Sequence, residues 1–161
     1  MAPSRTSPPP RQDRATRRRL SGPGLRTFLA ITEGWGLDEE DRRRVLWIRS
    51  RATYARWMRR ARADEDLVLP TGILMRLAAV LTVHRLLRQL LGIGPEALTW
   101  LRAPHGAPPF GGQPPLALVT GGTLEGIDTV CRYLGALAHG HPAAPSPGGS
   151  MRQRAGPGKE A

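Results

Sequence analysis

Apolar side chains along the middle of the chain recur at the spacing of a helix, and no segment alternates between apolar and polar residues with the period of a strand. Two apolar stripes are clear. The first contains Ile73, Leu74, Leu77, Leu81, Leu87 and Leu91, and the second contains Leu124, Ile127, Val130, Leu134 and Leu137. This pattern predicts an all-α fold.

Capping residues indicate where the predicted helices begin and end. Asp38, Ser50 and Thr123 are preferred N-cap residues, Pro70 is tolerated in a first turn, and Gly92 is a typical stop. A first helix is predicted over 25–33, a further one starts near residue 94, and residues 115–119 are predicted to form a short apolar turn.

Both ends of the chain are poor in large apolar residues, so they cannot offset the entropy of becoming ordered. We expect residues 1–24 to be a disordered basic tail and residues 142–161 to be a second disordered tail. We expect the middle of the chain to contain two domains, residues 25–91 and residues 92–141.

Positive charge is concentrated towards the amino terminus. The chain has a formal net charge of +11, and residues 25–63 carry ten arginines against five acids. A polyanionic partner such as DNA explains this charge, because phosphate neutralisation releases counterions. The alternative is that arginine is abundant because the genome is GC-rich, which fits Lys159 being the only lysine.

Two short helices separated by a tight break over residues 38–62 have the layout of a helix-turn-helix. Arginine can bond guanine with two hydrogen bonds, and serine or threonine can bond phosphate. The predicted DNA-binding residues are Arg49, Ser50, Arg51, Thr53 and Arg56. Arg42, Arg43 and Arg44 are candidates for holding the DNA backbone.

The same segment also fits an ordinary pair of basic surface helices. Its break lacks the glycine that is common in such turns. We expect Ala52, Ala55 and Met58 to face the core, with Trp57 packed there as well.

Residues 104–115 form a loop rich in proline and glycine with Phe110 among them. One interpretation is a preformed surface for a protein partner. The other is a connector whose Phe110 packs on Trp100.

Catalytic signals are weak. Cys131 lies beside an apolar stripe, the four histidines are scattered, and no glycine pair follows a strand. We expect no enzyme activity, cofactor or metal. Neither a membrane span nor an export signal is predicted, so a cytoplasmic location is expected.

The carboxyl-terminal half resembles the Xre/MbcA/ParS-like antitoxins. The residues that carry this resemblance are Trp100-Leu101, Pro104, Phe110, Gly112, Pro115-Leu116, Leu118, Gly126, Val130, Leu134 and Gly140. A looser resemblance to the family's Xre-like helix-turn-helix half involves Phe28, Trp35-Gly36-Leu37, Tyr54, Trp57 and Arg76.

The resemblance implies a type II antitoxin that dimerises, binds its own operator DNA and inhibits a RES-domain toxin. It also implies that the partner-binding residues are Pro104, Phe110, Gly112, Pro115 and Leu116. This chain departs from the family pattern at His105 and Ala117.

Other functions fit the same residues. One is a stand-alone helix-turn-helix transcriptional regulator, and another is a protein-binding adaptor without DNA binding.

Overall fold

Seven helices form in chain order, and the computed structural model describes residues 10–140. The helices are α1 (Pro10–Gly34), α2 (Glu39–Leu46), α3 (Arg51–Arg62), α4 (Thr71–Leu91), α5 (Glu96–Arg102), α6 (Pro115–Thr120) and α7 (Leu124–Ala138). The described residues contain no strand, so the predicted all-α fold is confirmed.

Most helix ends follow the local signals that predicted them. The Asp38 carboxylate accepts a hydrogen bond from the Asp41 amide at 2.8 Å, and the Thr123 hydroxyl accepts one from the Gly126 amide at 3.1 Å. These side chains satisfy amides that have no partner within the first turn of a helix. After α1, Gly36 adopts a φ of 73°, a left-handed conformation that suits glycine.

α1 begins much earlier than we predicted. It starts at Pro10 instead of near Leu25, so the expected disordered tail is wrong for residues 10–24. The reason is tertiary, because Ser21 and Gly22 are buried. Residues 1–9 and the predicted tail over 142–161 lie outside the described residues.

Residues 115–120 form a helix, α6, where we predicted a turn. Proline is favoured in the first turn of a helix because a backbone N–H there would have no partner within the helix, so its absence costs nothing. The side chains of Pro115 and Val119 are buried, and this contact fixes the short helix against the core.

One hydrophobic core extends through the molecule, with α4 at its centre. α4 packs against α1 on one side and against α7 on the other. The buried members of this core include Val80, Val83 and Leu87 of α4, Phe28 of α1 and Val130 of α7. No helix within residues 10–140 is both long and apolar enough to span a bilayer.

Candidate functional site

The junction between α2 and α3 is a tight turn built around Trp47. Trp47 has a φ of 60° and a ψ of 37°, which is the left-handed conformation usually occupied by glycine after a helix. The Ile48 amide donates to the Arg43 carbonyl at 2.8 Å, and the buried Ile48 side chain anchors the turn. Tryptophan therefore occupies the place of the glycine that the sequence lacks.

α3 presents one apolar face and one basic face. The Ser50 hydroxyl caps the helix by accepting from the Thr53 amide at 3.2 Å. The buried side chains are Tyr54, Met58 and Ala61. Our expectation that Ala52 and Ala55 face the core is wrong, since both are exposed. Register explains the difference, because residues 54, 58 and 61 share a face of a helix that excludes 52 and 55.

The exposed face of α3 combines small and basic side chains. These are Arg51, Ala52, Ala55, Arg56, Arg59 and Arg62. Among residues 10–140, Arg56, Arg59 and Arg62 have no acidic partner. The two alanines leave space between the arginines, so a nucleic acid can approach the backbone of this helix closely.

The predicted DNA-binding residues are distributed around the start of α3. Arg56 lies on the exposed basic face. Arg51 lies there too, 77% exposed and 3.4 Å from the Glu39 carboxylate. Arg49 is exposed, with its guanidinium carbon 5.5 Å from the centre of the Trp47 ring. Ser50 is occupied as the cap, and Thr53 is half-buried.

Sequence reasoning missed Arg59 and Arg62, which extend this exposed face to the end of α3. A signal for them was present, because both follow Arg56 at helical spacing.

The three arginines of α2 make contacts within the chain. The Arg42 Nε donates to the Thr32 hydroxyl at 3.0 Å, and Arg43 donates to the Arg49 carbonyl at 3.0 Å. Arg44 forms an ion pair with Glu40 at 2.9 Å. The contacts of Arg42 and Arg43 hold α2 against α1 and against the α2–α3 turn, whereas the Arg44 ion pair lies within α2.

Arg76 of α4 connects the α2–α3 turn to the start of α7. One guanidinium nitrogen donates to the carbonyl oxygens of Val45 and Gly122, each at 3.0 Å. The guanidinium carbon also lies 5.7 Å from the centre of the Trp47 ring. Burial lowers the pKa of Arg76. Arg76 therefore fixes two carbonyls from distant parts of the chain in one place.

The loop between α5 and α6 is folded onto an aromatic cluster. The Phe110 ring centre lies 5.9 Å from that of Trp100 and 4.8 Å from that of Tyr133, in edge-to-face arrangements. Phe110 is only 3% exposed. The alternative in which Phe110 packs on Trp100 is thus the observed one.

The other predicted partner-binding residues differ in exposure. Pro104 and Gly112 are exposed, Leu116 is half-buried and Pro115 is buried. The large exposed apolar side chains near this half are Leu91, the last residue of α4, and Ile93, which follows that helix. Ile93 is 84% exposed and borders a groove of about 280 Å³ lined by Trp35, His84 and Leu98.

Reactive groups are sparse in residues 10–140. Burial raises the pKa of the Cys131 thiol to about 11, and its sulfur lies 3.3 Å from the Ala79 carbonyl oxygen. The thiol is therefore protonated at neutral pH and is a poor nucleophile. In the same described part of the chain, no cluster of three or more histidine, cysteine or acidic side chains is arranged to hold a metal ion.

Comparison with known proteins agrees with the resemblance seen in the sequence. Residues 86–140 match the family described as the antitoxin Xre/MbcA/ParS C-terminal toxin-binding domain. This segment contains the end of α4 and all of α5, α6 and α7.

An uncharacterized protein, y4oB of Sinorhizobium fredii (strain NBRC 101917 / NGR234), is 28% identical over 116 residues. The aligned part covers 72% of this chain and 84% of that protein. No solved structure matches this chain.

Proposed function

We propose that this protein is the antitoxin of a type II toxin–antitoxin system. In this proposal, residues 86–140 bind and inhibit a cognate toxin, and α3 binds operator DNA. The observation that carries the proposal is the match of residues 86–140 to a toxin-binding domain of antitoxins. The protein then acts in the cytoplasm, where its toxin and its operator are found.

The proposed toxin surface lies on the exposed side of α5, α6 and the loop between them. Pro104, Gly112 and Leu116 supply accessible contacts there. Phe110 and Pro115 are buried, so they do not contact the toxin directly but fix the conformation of the loop that binds it. The family resemblance described above suggests a RES-domain protein as the toxin.

The proposed DNA surface is the basic face of α3. Arg51 and Arg56, with Arg59 and Arg62, line an exposed face of the helix. Arginine favours both phosphate contacts and the edge of guanine in the major groove. A homodimer would place two such helices in successive major grooves, one helical turn apart, and would autoregulate transcription.

Co-expression tests the toxin part of this proposal. The protein is produced together with the product of the neighbouring reading frame, and the pair is purified through a tag on one partner. We expect the two proteins to purify together, and we expect the antitoxin to restore growth to cells that the neighbour poisons. A neighbour that is harmless and does not co-purify would instead favour a stand-alone regulator.

Titration with DNA from upstream of the gene tests the second part. We expect binding that weakens steeply as salt increases, because each neutralised phosphate releases counterions. A chain that neutralises a toxin but binds no duplex at low salt is a protein-binding adaptor.

A further inference from the structure

The amino-terminal half of α1 is a helix without a core of its own. From residue 13 to residue 20 every side chain is exposed except Arg17, which is half-buried. This stretch carries Arg14, Arg17, Arg18 and Arg19 against the single acid Asp13. Apolar burial cannot explain such a helix, because helices in proteins are mainly stabilised by packing an apolar face.

Specific contacts fix this half of α1 to the segment between α3 and α4. The buried Ser21 hydroxyl accepts a hydrogen bond from the Leu69 amide at 2.9 Å. Arg17 donates to the Leu69 carbonyl oxygen at 3.3 Å, and Arg18 forms an ion pair with Asp66 at 3.0 Å. Both backbone groups of Leu69 are therefore satisfied by α1, which sets its position relative to α3.

α1 and α3 run in opposite directions. Arg26 of α1 donates to the carbonyl oxygen of Ala61, near the end of α3, at 2.9 Å. Further along α1, Thr32 accepts from Arg42, which lines one groove together with Tyr54 near the start of α3. The amino-terminal half of α1 consequently extends past the carboxyl end of α3.

Arg19 lies on the face of α1 that is directed towards α3. It precedes Arg26 by two helical turns, about 10 Å along the helix, and points in nearly the same direction. Arg14 lies one turn before Arg18. Among residues 10–140, neither Arg14 nor Arg19 has an acidic partner. Both therefore lie past the carboxyl end of α3, Arg19 on the side of Arg26 and Arg14 on the side of Arg18, about 140° apart around the helix.

The acidic turn after α3 does not cancel this charge. Asp64, Glu65 and Asp66 each form an ion pair, with Arg26, Arg60 and Arg18 respectively. Within residues 10–140, no ion pair to an acid is formed by Arg14, Arg19, Arg59 or Arg62, so the acidic turn leaves their charge uncompensated.

We infer that the amino-terminal half of α1 is a second DNA contact, which binds the phosphate backbone through Arg14 and Arg19. The inference rests on the proposed binding of DNA by α3. A helix that lies in the major groove brings its end close to a phosphate strand, and an arginine-bearing extension there meets that strand without reading sequence.

The salt dependence of binding to a mixed-sequence duplex tests this inference. The full-length chain is titrated by fluorescence anisotropy at several potassium chloride concentrations. Removing two phosphate contacts with R14A/R19A should reduce the slope of log K against log salt by about 2 per protomer. R14K/R19K should keep the wild-type slope. R85A/R88A removes the same charge from exposed positions of α4 and should also keep it.

Each outcome separates this inference from the proposed function. If the salt slope of R14A/R19A equals that of R85A/R88A, the inference about α1 is wrong. If R56A/R59A loses binding in the same experiment, the proposed binding of DNA by α3 still holds. A wild-type chain that binds no duplex overturns the inference together with the DNA part of the function. If R14A/R19A loses the toxin and keeps the DNA slope, this surface contacts protein. Circular dichroism checks that every variant is folded.

Discussion

At the scale of single residues, Trp47 and Arg76 determine how the α2–α3 turn is held. A bulky residue in the left-handed conformation costs about 1 kcal/mol or more. The guanidinium groups of Arg49 and Arg76 lie near the Trp47 ring, and their attraction to the ring offsets this conformational cost. Gly122 completes this site, since its φ is 88° and an added Cβ would lie 3.2 Å from the Trp47 ring.

Arg76→Ala should destabilise the protein far more than an ordinary surface substitution. It leaves the carbonyl oxygens of Val45 and Gly122 without their donor, and an unsatisfied buried polar group costs about 1–3 kcal/mol. Urea denaturation followed by circular dichroism measures the loss. Arg85→Ala, on an exposed position of the same helix, should change stability by less than about 0.5 kcal/mol. Equal effects of the two substitutions would show that the two hydrogen bonds contribute nothing.

At the scale of elements, the contact between α1 and the α3–α4 segment explains why residues 10–24 are helical. This contact depends on hydrogen bonds and an ion pair between residues at least 48 positions apart in the chain, such as Ser21 and Leu69. Such long-range contacts leave no periodic apolar pattern in the sequence, so composition alone favoured disorder.

Ser21→Ala should loosen the amino-terminal half of α1. The substitution removes the acceptor of the buried Leu69 amide, and we expect the free energy of unfolding to fall by about 1–3 kcal/mol. Thr27→Ala is the matched control, because the Thr27 hydroxyl is exposed and donates only to its own helix at Pro23. Hydrogen exchange at Leu69 gives the local measurement. If that amide stays equally protected in both variants, Ser21 does not hold α1 in place.

Phe110 tests whether the α5–α6 loop is a core element. Phe110→Ala removes the ring that contacts Trp100 and Tyr133, and a buried phenylalanine replaced by alanine costs about 3–5 kcal/mol. Thermal unfolding should report this loss, while Pro104→Ala at an exposed position should leave the melting temperature nearly unchanged. If the F110A chain melts at the wild-type temperature, Phe110 does not stabilise the core, and the interpretation of Phe110 as a partner-binding residue is favoured instead.

Sequence reasoning succeeded where a signal is local and failed where it depends on distant contacts. Asp38, Ser50 and Thr123 cap helices because the side chain and its amide partner lie three residues apart. The buried face of α3 was misassigned at Ala52, since alanine fits both sides of a helix and only packing decides. Phe110 posed a similar problem, because its burial depends on Tyr133 in a later helix.

At the scale of the whole molecule, two regions of the chain differ in charge. Residues 25–63 carry ten arginines against five acids, whereas residues 104–140 carry one arginine against two acids. The two regions nevertheless share one core through α4, and Arg76 joins them directly. The proposed DNA and toxin surfaces are thus distinct in chemistry while belonging to one folded unit.

This separation predicts that the two proposed activities can be lost independently. R51A/R56A removes two arginines from the exposed face of α3, which makes no contribution to the buried core. With about 1–3 kcal/mol for each lost contact, operator binding should weaken at least tenfold. Co-purification with the toxin and rescue of growth should remain at the wild-type level. Loss of both activities in a folded R51A/R56A chain would mean that toxin and DNA share the α3 surface, and the assignment of the toxin to residues 86–140 alone would fail.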